Sequence, residues 1–144
     1  MPTTPSARRK ARKLLVQALY QWQLTGTPST EIEAQFHVDN DMAPVDTEFF
    51  SKVLNGVARE KVALQASIEP YLDRAFAELD PVAISVLRMG FFELQHCIDV
   101  PYKVVINESV NLAKTFGATD SFKYVNGVLD KAAAKFRMAE VRAK

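Results

Sequence analysis

Between Asp80-Pro81 and Asp99-Val100-Pro101 the chain places Val82, Ile84, Val86, Leu87, Met89, Phe91 and Leu94. At ~100° per residue this set wraps nearly all the way round a helix. A helix apolar on almost every side belongs at the centre of a domain, with other elements packed against it from several directions. Asp80 is a cap and Pro81 a first-turn residue, so the start of this central helix is well marked.

The segments around it are also helical in period. From about Ala7 to Thr25, Ala11, Leu14, Leu15, Ala18, Leu19 and Trp22 share one face, and Gly26 and Pro28 stop the pattern. Residues 29–38 form a short amphipathic helix around Ile32 and Phe36, followed by an acidic, proline-containing loop from Asp39 to Pro44. Asp46 is a plausible N-cap for a longer pattern of Phe50, Val53, Leu54, Val57, Leu64 and Ile68, which bends or ends near Pro70. Gly56 or the Arg59–Lys61 region is a candidate break within it. After Pro101 a helix buries Val105, Ile106, Val110, Ala113 and Phe116 and ends at Gly117; the last begins near Asp120 or Ser121 and buries Phe122, Val125, Leu129, Ala132 and Phe136. No alternating strand pattern competes. The expectation is an all-α fold of about seven helices.

A chain of 144 residues with 48% hydrophobic content can bury a core as one domain. No apolar run approaches the ~18–20 residues of a membrane span. Gln17, Tyr20, Gln21 and Gln23 interrupt the apolar region that a cleavable signal would need. Cys97 is the single cysteine, so no internal disulfide forms, consistent with a reducing cytoplasm.

The net charge of +1 hides an asymmetry. Residues 1–13 hold Arg8, Arg9, Lys10, Arg12 and Lys13 with no acid, and residues 131–144 hold five more cations against Glu140. The 117 residues between carry 8 basic and 16 acidic groups, a net of −8. A basic arm on an acidic body suits an anionic partner met at one place, although a solvated terminal charge run gives the same pattern.

Catalytic groupings are scarce. His37 and His96 are far apart in sequence, and His96 and Cys97 point ~100° apart on a helix. No metal-ligand spacing and no glycine-rich phosphate loop occurs, and Asp39 and Asp41 read as solvated loop charges. Neither an enzyme nor a cofactor is expected. The first helix is more informative: with Leu15 centring the buried face, Arg9, Lys13 and Tyr20 fall on the opposite side, flanked by Lys10 and Gln17. Cations beside an exposed ring suit RNA, since phosphates meet the cations and an unstacked base meets the ring. Tyr20 packed at the helix edge is the alternative. Cations at a helix N-terminus also oppose the macrodipole, which suggests that a partner needs them. The stretch from Phe116 through Gly117, Asp120 and Ser121 to Lys123 and Tyr124 is a second candidate, since N–H groups at a helix start accept phosphate; any helix junction offers as much. Asn126-Gly127 costs the last helix about 1 kcal/mol relative to alanine, which close helix packing would explain.

Several of these segments together resemble the NusB family of transcription antitermination factors. They are Arg8-Arg9-Lys10-Ala11-Arg12 with Val16-Gln17-Ala18-Leu19-Tyr20-Gln21, Leu79-Asp80-Pro81-Val82, and Asp99-Val100-Pro101-Tyr102-Lys103-Val104-Val105-Ile106-Asn107-Glu108. Phe116-Gly117 and Lys123-Tyr124-Val125-Asn126-Gly127-Val128-Leu129-Asp130-Lys131 complete the match, which runs in order over roughly residues 7–135. The chain departs from the family at Lys10, where arginine is frequent, at Ala83, often acidic, and at Phe122, often polar.

The resemblance implies two packed helical subdomains within one NusB-like domain, about 7–74 with three helices and 78–137 with four, with basic flexible ends at 1–6 and 138–144. It implies binding of the single-stranded boxA element of nascent ribosomal RNA jointly with NusE, a small-subunit ribosomal protein, within the RNA polymerase antitermination complex. It places RNA contacts on Arg8, Arg9, Lys10, Arg12, Lys13, Tyr20, Tyr71, Phe116, Gly117, Asp120, Ser121, Lys123 and Tyr124. It places the NusE surface near Tyr71, Arg74, Glu78, Ala83 and Ile84. A helical interaction or dimerisation module without a direct RNA role is the alternative. A NusB-like domain of an RNA cytosine methyltransferase would need a further nucleotide-binding domain of ~200 residues.

Overall fold

The computed structural model describes residues 4–143. Among these it is all-α, and it divides into two compact units, residues 1–60 and 61–144. In the first unit, α1 (Pro5–Thr25), α2 (Ser29–Asp39) and α3 (Thr47–Arg59) pack pairwise. Thr4 caps α1 by accepting from the Ala7 N–H at 3.0 Å, Pro5 occupies its first turn, and Gly26 closes it in the left-handed region at φ 71°. Ala11, Leu15, Ala18 and Leu19 are fully buried, with Leu14 and Trp22 at the edge of the same face. Ile32 and Phe36 turn inward from α2, and the Phe36 and Phe50 rings lie 5.8 Å apart. Asp46 caps α3 as the sequence suggests: its Oδ1 accepts from the Phe49 N–H at 3.1 Å. The long pattern after it breaks at Glu60, while Gly56 lies buried inside α3.

The second unit contains α4 (Lys61–Ile68), two single 3-10 turns (Glu69–Tyr71 and Phe76–Glu78), α5 (Pro81–His96), α6 (Tyr102–Phe116), α7 (Ser121–Phe136) and α8 (Met138–Arg142). The apolar helix is α5, and α4, α6 and α7 all pack on it. Every residue from Ala83 to Leu94 is buried. At Gly90 a Cβ would lie 2.9 Å from Leu129 Cδ2 and 3.3 Å from Ser109 Oγ, so glycine there lets α6 and α7 approach α5 closely. Residues 61–68, expected with the first subdomain, pack on α5 in the second unit.

Polar groups complete this core. Arg88 is 4% exposed with its guanidinium 5.3 Å from the Phe76 ring centroid, and burial pushes its pKa below the ordinary value. Arg137, counted above with the basic terminus, is 5% exposed. It donates to the carbonyls of Glu93 (3.1 Å), Leu94 (2.8 Å), Cys97 (2.9 Å) and Val100 (2.8 Å), and to Glu140 Oε1 at 2.7 Å. Its fork of donors therefore satisfies carbonyls at and beyond the C-terminus of α5, where helical partners run out. Glu140 Oε2 accepts from the Tyr102 N–H at 2.7 Å. These bonds order residues 138–142 as α8, where a flexible end was expected, and the Thr4 cap does the same for residues 5 and 6. Residues 1–3 and 144 of those expected ends lie outside the described residues.

Candidate nucleic-acid interface

The five cations of α1 do not form one solvent-facing set. Arg9, Lys10 and Lys13 are exposed, and so is Tyr20 at 37%. Arg8 and Arg12 instead turn toward α3, their guanidinium carbons 4.4 and 5.0 Å from the Phe49 ring centroid. Arg8 also bonds Asp46 Oδ2 through Nε and Nη2, each at 3.2 Å, and the Asp46 N–H donates to the Ala7 carbonyl at 3.1 Å. Asp46 thereby supplies from α3 the acid that α1 lacks near its positive dipole end. Arg12, expected on the RNA-facing side, is 4% exposed and lies beside Phe49 instead of on the outer face of α1.

In the second unit the expected residues gather around two adjoining cavities that share Tyr124. One, of about 270 Å³, is lined by Arg74, Leu79, Asp80, Ala83, Asp120, Ser121 and Tyr124 among others. The other, of about 220 Å³, is lined by Tyr71, Asp73, Lys123, Tyr124, Gly127, Val128 and Lys131. Tyr124 is fixed between them. Its hydroxyl donates to Asp73 Oδ1 at 3.0 Å, accepts from the Asp73 N–H at 3.3 Å, and its ring lies 4.6 Å from the Arg74 guanidinium carbon. Hydrogen bonds from Arg74 and then Tyr124 hold the Asp73 carboxyl below its usual pKa, while burial pushes the Tyr124 phenol up. The bond to Asp73 raises Arg74 in turn. Tyr71 is half-buried, its ring 5.9 Å from Phe91.

The junction of α6 and α7 is held from within. Gly117 ends α6, its N–H on the Ala113 carbonyl at 2.9 Å, and Phe116 before it is half-buried. Asp80 caps α5 through Oδ1 to Val82 N–H (3.2 Å), while its Oδ2 accepts from Ala118 N–H (3.0 Å) and the Ser121 hydroxyl (3.1 Å). Two donors that a phosphate would use at this helix start thus already meet a carboxylate. Asp120 sits at φ 68°, a left-handed conformation that aspartate tolerates, and pairs with Lys123 at 3.5 Å on the surface.

Of the expected partner surface, Arg74 and Glu78 are exposed, and Ala83 lines the larger cavity although only 3% exposed. Ile84, expected on the same surface, is 4% exposed and lies in the stretch of α5 from Ala83 to Leu94 that is buried throughout. The bonds of Asp80 to Ala118 and Ser121, beyond its expected cap, and those of Arg137 to the end of α5 were missed; these partners stand about 40 residues away, where no local pattern points. Among the described residues no cluster of His, Cys, Asp and Glu suits a metal ion, and no helix is long and apolar enough to cross a membrane.

Comparison with known proteins adds a lineage. Residues 9–134 match a family model described as "NusB family". The chain is 57% identical over 139 residues to the transcription antitermination protein NusB of Alcanivorax borkumensis, covering 96% of this chain and 93% of that protein. It is 55% identical over 144 residues to NusB of Teredinibacter turnerae, covering 99% and 98%. Among solved structures it resembles T. maritima NusB, with a TM-score of 0.80, 28% identity and 94% of each chain covered. It also resembles a chain in the crystal structure of antitermination factors NusB and NusE in complex with double-stranded RNA, with a TM-score of 0.74, 26% identity, and 90% and 97% covered.

Proposed function

The chain belongs to the NusB family, and on that premise we propose that it is a transcription antitermination factor binding the boxA element of nascent RNA jointly with NusE. In this reading it has no catalytic step of its own, acts in the cytoplasm, and helps RNA polymerase resist termination. The observation that carries the RNA role is the outer face of α1, where Arg9, Lys10, Lys13 and Tyr20 are exposed while Arg8 and Arg12 are drawn toward Phe49. Three cations and a ring on one face offer phosphates a charged surface and a base a stacking plane. Tyr71, Lys123 and Tyr124 present a second such grouping in the other unit. The exposed Arg74 and Glu78 are the proposed NusE contacts, with Ala83 in the cavity that Arg74 also lines.

Fluorescence anisotropy with labelled single-stranded boxA RNA tests this. Replacing Arg9, Lys10 or Lys13 with alanine is expected to lower the slope of log affinity against log salt by ~0.7 per lost phosphate contact, whereas Arg12→Ala lowers stability. Unchanged affinity and slope in all three surface variants would remove α1 from the RNA site. Calorimetry supplies the partner test: NusE and RNA should each tighten binding of the other by the same factor. A duplex of the same sequence is expected to bind more weakly than the single strand.

A further inference from the structure

Lys123, Gly127 and Lys131 recur every four residues along α7, and all three are exposed. At ~1.5 Å rise per residue the two lysine positions stand ~12 Å apart along one stripe. The stripe borders the 220 Å³ cavity that Tyr71 and Tyr124 also line. Gly127 has no internal explanation. It lies in the middle of α7, where glycine weakens a helix relative to alanine. A Cβ built on it meets nothing within 4 Å, so close packing of helices does not require it. Nor does backbone geometry, because Gly26 is the glycine with positive φ among the described residues. The missing side chain leaves bare main chain between two ammonium groups, beside two phenol rings.

We propose that this stripe is a docking track for the sugar–phosphate backbone of the RNA strand. Lys123 and Lys131 meet phosphates, and Gly127 leaves the room in which a ribose lies against the helix. The nearby acids do not cancel the track: Asp73 is engaged by Arg74 and Tyr124, while Asp120, 3.5 Å from Lys123, and Asp130, beside Lys131, are exposed and solvent-screened. Single-stranded RNA fits better than a protein edge, because the groove combines two exposed ammonium groups with half-buried phenol rings at its wall. The inference rests on the RNA-binding reading above.

The test uses the full chain, labelled single-stranded boxA RNA and a salt series. Gly127→Ala is expected to raise Tm by ~2–4 °C, as alanine improves the helix, and yet to weaken RNA binding. Gly127→Leu should weaken it further. Lys131→Ala should lower the salt slope by ~0.7. Wild-type affinity in both glycine variants, or a wild-type slope in Lys131→Ala, overturns the proposal. If RNA affinity holds while NusE binding falls, the stripe belongs to the protein partner and the proposal is equally overturned. Loss of binding in Lys13→Ala with α7 variants unaffected refutes the track alone, whereas a wild-type chain that binds no boxA RNA refutes the underlying reading as well.

Discussion

Removing the Arg137 side chain should be the most damaging single change outside the apolar core. The guanidinium is 5% exposed and satisfies four main-chain carbonyls between Glu93 and Val100, besides its bond to Glu140. Hydrogen bonds to a charged donor contribute ~1.5–3 kcal/mol each, but they share one group and do not add. Water admitted to the vacated site would recover some of them. Arg137→Met keeps much of the volume and removes every donor, so we expect it to cost about 2–4 kcal/mol, the scale of buried carbonyls left without partners after water recovers some of them. Against a typical total of ~5–15 kcal/mol that is a large fraction. Arg137→Lys should fall between, since an ammonium has three donors and no planar fork. Urea unfolding measures all three proteins, with m expected to stay constant. RNA affinity below the unfolding midpoint should not change. A loss under ~1 kcal/mol for Arg137→Met would refute the claim that this side chain locks the end of α5.

Two further perturbations separate function from framework. Tyr20→Ala should cost ~1–3 kcal/mol of RNA affinity if a base stacks on the ring, with little effect on unfolding because the ring is exposed; a loss of stability at constant affinity would place Tyr20 in the core. The bond from the Tyr102 N–H, followed by that from Arg137, holds the Glu140 pKa below 4.5, so its contribution is complete above that pH and is lost as pH falls through the lower folded value. Glu140→Gln should therefore flatten the acid side of the stability profile, and an unchanged profile would show the carboxylate to be idle.

Much of the fold was legible because it follows from period and punctuation. The all-round apolar pattern fixed α5 at a centre, and Asp46, Asp80, Gly26 and Gly117 marked the element ends where the structure has them. The first basic cluster was legible only by angle. Measured from Leu15 at ~100° per residue, Arg8 lies ~20° and Arg12 ~60° away, on the buried side, whereas Arg9, Lys10, Lys13 and Tyr20 lie ~120–160° away. The resemblance assigned all five cations alike, whereas the angle alone sets Arg8 and Arg12 on the side that the structure turns toward Phe49. Ile84 was assigned to a surface although its own helix had been read as buried on nearly every side. The second carboxylate oxygen of Asp80 and the carbonyl contacts of Arg137 were beyond sequence reasoning, since they engage groups supplied by distant elements. Gly127 drew attention as a cost to its helix, but only the empty space beside it removed packing as the cause.

The tie between the Ala7 carbonyl and the Asp46 N–H, with Thr4 at the start of α1, bears on the thermodynamics of encounter. An arm of this composition without such a tie would be a fluctuating polycation, and RNA would have to order it, with an entropic penalty charged against affinity. Here the first two turns are already helical, so the ordering loss belongs to folding and not to binding. In the proposed reading, Arg9, Lys10 and Lys13 then face a strand as a template of fixed intervals. Such a template discriminates between backbone geometries, where a loose cloud of charge would accept any polyanion.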